Sequence, residues 1–196
     1  WAGLDVQLEP VTMEEINEMP TSPDLFNPAE RAARLGQKEI MDTIISRLNK
    51  FELPPNMQKY QSSFDAALSN MKAEYYLTIG ESEKALEMAE KAMENVTEKD
   101  KSDPLKNFAY IEYAKFLFEG GKIKEAYEIY ADLNRIFPNR AEVVVGLART
   151  SAKLGMNSQA SRYYEDFLEI WHDADQGIPV YEEARNFVQQ YRNNAK

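Results

Sequence analysis

The chain has 196 residues, 43% hydrophobic and 29% charged, the composition of a folded protein with a sizeable core rather than of a disordered segment. Its formal net charge of −10 argues against a nucleic-acid backbone as ligand and against docking on an anionic membrane, since both need a basic face. Cysteine is absent, so disulfides, thiolate nucleophiles and thiolate metal ligands are excluded, and the redox compartment stays open.

In chain order, the stretch to Phe26 is rich in proline and acidic residues and reads as an N-terminal extension, 1–27, ahead of a helical domain at 28–196. The chain begins at Trp1 rather than Met, as a piece of something larger would. Alternating Leu4, Val6 and Leu8 give a short strand signal. Thr12 and Glu15 form the pattern of a capping box, which predicts a short helix over 12–19. The run Asn27-Pro28-Ala29-Glu30 predicts a helix start, continuing to about Lys50 and stopping before Pro54-Pro55. Further helices are predicted at about 57–79, 82–96, 104–119, 122–136, 140–154, 157–172 and 180–193, with Val143 to Val145 read as helix. The charged stretch from Val96 to Asp103 reads as an enlarged inter-helix loop.

Gly80, the pair Gly120-Gly121, and Gly155 each separate two apolar helical runs, where a tight turn requires positive φ. Alanine follows five residues later in each case, at Ala85, Ala126 and Ala160. Four residues on come Ala89, Tyr130 or Tyr164, and seven on come Ala92, Leu133 or Phe167. That spacing keeps the three positions on one helical face. Ala73, Ala114 and Ala148 supply the matching small position on the preceding helix. Ala126 and Ala160 lie 34 residues apart, and the longer interval of 41 from Ala85 to Ala126 places its surplus in the 96–102 stretch.

This pattern resembles the tetratricopeptide repeat (TPR) family over roughly residues 66–172, with Tyr76, Leu147, Gly155, Ala160 and Tyr164 in family-typical places. It departs from the family pattern where Ser69 and Val144 replace an aromatic, and where Ala89 does so in the first repeat. The resemblance implies an all-α, right-handed superhelix of antiparallel helix hairpins, with repeats near 66–99, 107–139 and 141–173. A capping helix at 179–194 would close it, carrying Val180, Ala184, Phe187, Val188 and Tyr191 on one stripe. The run from Tyr164 to Val180, with Glu183-Ala184-Arg185, is similar to the C-terminal TPR tails of large bacterial signalling proteins. That implies a bacterial segment, cytoplasmic or periplasmic, without its own membrane contact.

Catalysis has no support in the sequence, and no cofactor or metal is expected. His172, Asp173 and Asp175 are the one cluster resembling a metal or acid–base site, but a catalytic zinc needs about three protein ligands and the chain has a single histidine. Paired acids such as Glu182-Glu183 read as solvated helix faces. The predicted helix at 104–119 is apolar nearly all round, which fits either a helix packed between neighbours or one whose edge at Phe108, Ile111, Lys115 and Phe118 grips a ligand.

The TPR resemblance implies that first helices line a concave groove. The partner-binding positions would then be Asn70, Glu74 and Leu77 in repeat one, Phe108, Ile111 and Lys115 in repeat two, and Val145, Arg149 and Lys153 in repeat three. Lys115, Arg149 and Lys153 would form a cationic corner suited to an acidic side chain or a peptide terminus. The expected function is therefore to bind a protein or peptide partner. The alternatives are self-association as a homodimer and, further off, a small-molecule sensory domain.

Overall fold

The computed structural model describes residues 8–94, 96–97, 108–173 and 178–194. These residues form ten α-helices and no strand, in an all-α fold. They fall into two compact units, divided between Thr97 and Phe108. Leu4 and Val6 of the expected strand, the start of the expected 104–119 helix and most of the 96–103 loop lie outside the described residues.

The first unit contains α1 (Met13–Glu18), α2 (Phe26–Arg34), α3 (Lys38–Leu48), α4 (Gln61–Thr78) and α5 (Ser82–Ala92), with 3-10 turns at Pro23–Leu25 and Pro55–Tyr60. Thr12 caps α1, its hydroxyl accepting from the Glu15 N–H at 3.1 Å. The reciprocal half of the capping box is not made. Glu15 instead accepts from Arg31 of α2 at 2.6 and 2.8 Å. Arg47 of α3 donates to the carbonyls of Ile16 and Met19, satisfying the end of α1. The Gln37 amide exchanges two 2.9 Å hydrogen bonds with the backbone of Val11. The stretch expected to be an extension is thus tied in on three sides, and Val11, Ile16 and Leu25 are buried in the same core as Met41, Ile44 and Leu48.

The single helix expected from 28 to 50 is two helices. Gly36 adopts φ +61°, and the N–H groups of Gly36 and Gln37 bond to the carbonyls of Ala33 and Ala32, which closes α2. This is the device that the sequence shows at Gly80, Gly121 and Gly155, here masked by the apolar pattern continuing past it. α2 packs on α4 and buries Ala29, Ala32 and Ala33 completely. α4 starts four residues later than expected because Pro54-Pro55 lead into a 3-10 turn rather than directly into a helix.

The second unit contains α6 (Phe108–Glu119), α7 (Ile123–Ile136), α8 (Ala141–Lys153), α9 (Asn157–Ile170) and α10 (Pro179–Asn194). Each helix packs on the next, and α6 also meets α8, so two hairpins and a closing helix stack side by side. Ala114, Ala126, Ala148 and Ala160 are all fully buried at the helix contacts, as small residues at close approaches must be. On α10, Ala184 and Val188 join a core with Val144, Val145, Tyr164 and Phe167.

At Gly155 the helix turn needs a left-handed residue, φ +75°, and a Cβ there would meet nothing within 4 Å. The cost of a side chain is therefore conformational alone. Gly155→Ala is expected to destabilise the chain by about 1 kcal/mol and Gly155→Asn by less, because asparagine tolerates that region. Urea denaturation of the two variants measures the difference.

Candidate functional site

A cleft opens within the second unit. It is lined by one edge of α6 (Phe108, Ile111, Glu112, Lys115, Phe118 and Glu119) and by Arg140 with the adjoining edge of α8 (Ala141, Glu142, Val145, Gly146 and Arg149). Val180 of α10, Tyr130 of α7, and Phe167 and Trp171 at the end of α9 complete it, around a cavity of about 130 Å³. The lining follows from helical spacing, since steps of three and four along α6 and α8 return each chain to the same face. Phe108 is 51% exposed, whereas Phe167 is buried and packs against the Trp171 ring with centroids 5.2 Å apart.

Gly146 sets how close α7 comes to α8. A Cβ at this position would lie 2.5–2.6 Å from three carbons of the Tyr130 ring, inside any real contact distance. Glycine alone lets the ring lie against the backbone of α8. Burial pushes the Tyr130 phenol well above its ordinary pKa, and the Glu112 carboxylate adds to the shift, so the hydroxyl remains protonated.

Arg149 is held in a fork. Its Nε donates to Glu183 Oε1 at 2.9 Å and its Nη2 to Oε2 at 2.6 Å, while the Tyr164 hydroxyl donates to Oε1 at 2.6 Å. The three groups join α8, α9 and α10, and the Tyr164 ring also packs on Phe187 at 5.0 Å. Both partners of the ion pair are more than a third exposed, at 38% and 36%, so screening limits its worth to about 1 kcal/mol. Burial alone would raise the Glu183 carboxyl, but hydrogen bonds from Arg149 and Tyr164 outweigh it and hold the group below its ordinary value of 4.5.

A depressed acid contributes stability above its unfolded pKa and loses it as pH falls through the folded one. Glu183→Gln is therefore expected to cost about 1 kcal/mol near neutral pH, with the difference from the native chain shrinking below pH about 4.5. Thermal denaturation of both proteins between pH 7 and pH 3 tests this.

No protein-family model and no curated protein matches the chain.

Of the residues singled out in the sequence, the cleft brings together Phe108, Ile111, Lys115, Val145 and Arg149. Asn70, Glu74 and Leu77 lie on α4 in the first unit, and Lys153 is exposed on α8 outside the cleft lining. Two cations of the expected corner face acids of the same chain: Arg149 pairs with Glu183 at 2.6 Å, and Lys115 lies 3.8 Å from Glu112. His172 sits beside the Glu169 carbonyl and Asp173 on the exposed end of α9, while Asp175 is outside the described residues. Among the described residues no three acidic, histidine or cysteine side chains are grouped to hold a metal ion. None of their helices is long and apolar enough to cross a membrane.

Sequence reasoning missed Arg140, Glu142, Trp171 and Val180 in the lining, and Glu183 as the partner of Arg149. A signal for the last was present. Arg149 lies in the largely apolar run from Val143 to Ala152, and Glu183 adjoins the apolar stripe of α10, which makes the two natural partners.

Proposed function

We propose that this chain is a protein-interaction module of the TPR type, part of a larger bacterial protein, in which the cleft of α6, α8 and α10 grips a segment of a partner protein. The observation that carries this reading is the half-exposed Phe108 at the rim of a cleft that also holds Phe118, Tyr130, Phe167 and Trp171. Such aromatic density with an open face is what an interaction hot spot requires. Size favours a partner side chain over a small-molecule ligand. A cavity of about 130 Å³ is near the roughly 150 Å³ that admits one benzene ring, well short of the ~300–1,000 Å³ of small-molecule sites. The 34-residue interval between Ala126 and Ala160, each fully buried at the same place in its hairpin, supports the TPR assignment.

The test is capture from a lysate of the source organism by the immobilised full chain and by its Phe108→Glu variant, with light scattering of each. Proteins retained by the native chain and lost with Phe108→Glu are the expected result. Retention that ignores Phe108→Glu contradicts the reading. A dimer in solution that Phe108→Glu dissociates, with nothing else captured, would replace it with self-association through the same face.

A further inference from the structure

We infer that this cleft selects a partner segment bearing one apolar anchor beside a lysine or arginine, rather than one presenting an acidic side chain or a free carboxylate. The inference rests on the reading of the cleft as a partner-binding site and fixes the chemistry of what it takes.

The charges around the cavity carry it. Every cation of the lining already faces a carboxylate of the same chain: Lys115 lies 3.8 Å from Glu112, Arg140 3.6 Å from Glu142, and Arg149 2.6 Å from Glu183. An incoming anion would have to compete with each of these, and in the Arg149 fork it would have to displace a bidentate partner. Glu119 is different. It lies on the lining edge of α6, is exposed, and takes part in no ion pair among the described residues. Among the described residues the rim is thus left with one unanswered acid, in a chain whose formal charge of −10 attracts cations at longer range.

The lining adds a second preference. The faces of Phe108 and Trp171 suit the stem and charge of a basic side chain as well as an apolar group. The cavity, at about 130 Å³, admits one ring or one branched aliphatic side chain, so a single anchor fills it and the neighbouring basic residue remains at the rim near Glu119.

Fluorescence anisotropy with labelled glycine–serine nonapeptides tests the inference on the full chain. The central residue is leucine or alanine, and the flanks are a pair of lysines or a pair of glutamates. The leucine–lysine peptide is expected to bind about tenfold more tightly than its alanine counterpart. It should also bind about fivefold more tightly than the leucine–glutamate peptide, a margin that falls with added salt. Glu119→Lys should abolish or reverse the flank preference, while Glu128→Lys, an equal charge change on the exposed face of α7, should largely preserve it. Equal binding of both leucine peptides overturns the charge preference and leaves the partner-binding reading standing. A lysine preference weakened equally by Glu119→Lys and Glu128→Lys overturns it as well, since it would then reflect net charge alone. Absence of any leucine-dependent binding overturns both the inference and the reading beneath it.

Discussion

Gly146→Ala is expected to destabilise the chain by about 1–2 kcal/mol, although alanine is the better helix former by about 1 kcal/mol. The reversal comes from Tyr130. Its ring carbons lie where the new methyl would sit, 2.5–2.6 Å away, and the residue is only 6% exposed, so either the packed ring or the helix must shift to admit the methyl. Overpacking of this kind typically costs about 1–3 kcal/mol, and the propensity gain offsets only part of it. Gly146→Leu should cost about 3 kcal/mol or more on the same grounds. A double-mutant cycle isolates the cause. In a Tyr130→Leu background, which lacks the ring atoms, Gly146→Ala should cost markedly less than in the native chain. An unchanged penalty in that background would show that the close approach of α7 and α8 is not what demands glycine.

Phe167→Ala is expected to have the largest effect of any single truncation in the cleft, about 3–5 kcal/mol. The side chain is 1% exposed, packs on Trp171, and belongs to the core that Tyr164 and Ala184 share. Its loss leaves a cavity beneath the site and loosens the contact between α9 and α10. Phe108→Ala, on a ring already half exposed, should change stability by less than about 0.5 kcal/mol. The two phenylalanines thus separate the roles of one lining, Phe167 holding the cleft together and Phe108 offering the surface. Urea denaturation of both variants measures the contrast, and similar losses would mean that Phe108 is structural too.

Much of the fold was legible because the repeat is written in residue types with strict physical demands. Glycines at positive φ marked the turns of the second unit, and alanines 34 residues apart marked where its helices touch. The break at Gly36 was harder to see because Asn27 to Lys50 continues a helical apolar pattern through it, and only the backbone shows the left-handed turn. The cleft was half legible. Phe108, Ile111, Lys115 and Phe118 fall on one edge of α6 by periodicity alone, but which helix faces them depends on tertiary packing. Arg149 shows the limit most sharply. On α8 alone it reads as a cation for a ligand, and only the docking of α10, 34 residues later, reveals Glu183 as its partner. Gly146 was visible as one small residue in the run Gly146-Leu147-Ala148, yet nothing local shows that Tyr130 is the reason for it.

Photo-crosslinking at single positions tests the central claim most directly. A benzoylphenylalanine introduced in place of Phe108 at the cleft is compared with one in place of Gln189 on the exposed face of α10, in the full chain incubated with lysate of the source organism. The account predicts discrete partner adducts from position 108 and none from position 189. Adducts from position 189 alone, or the same adducts from both, would contradict it.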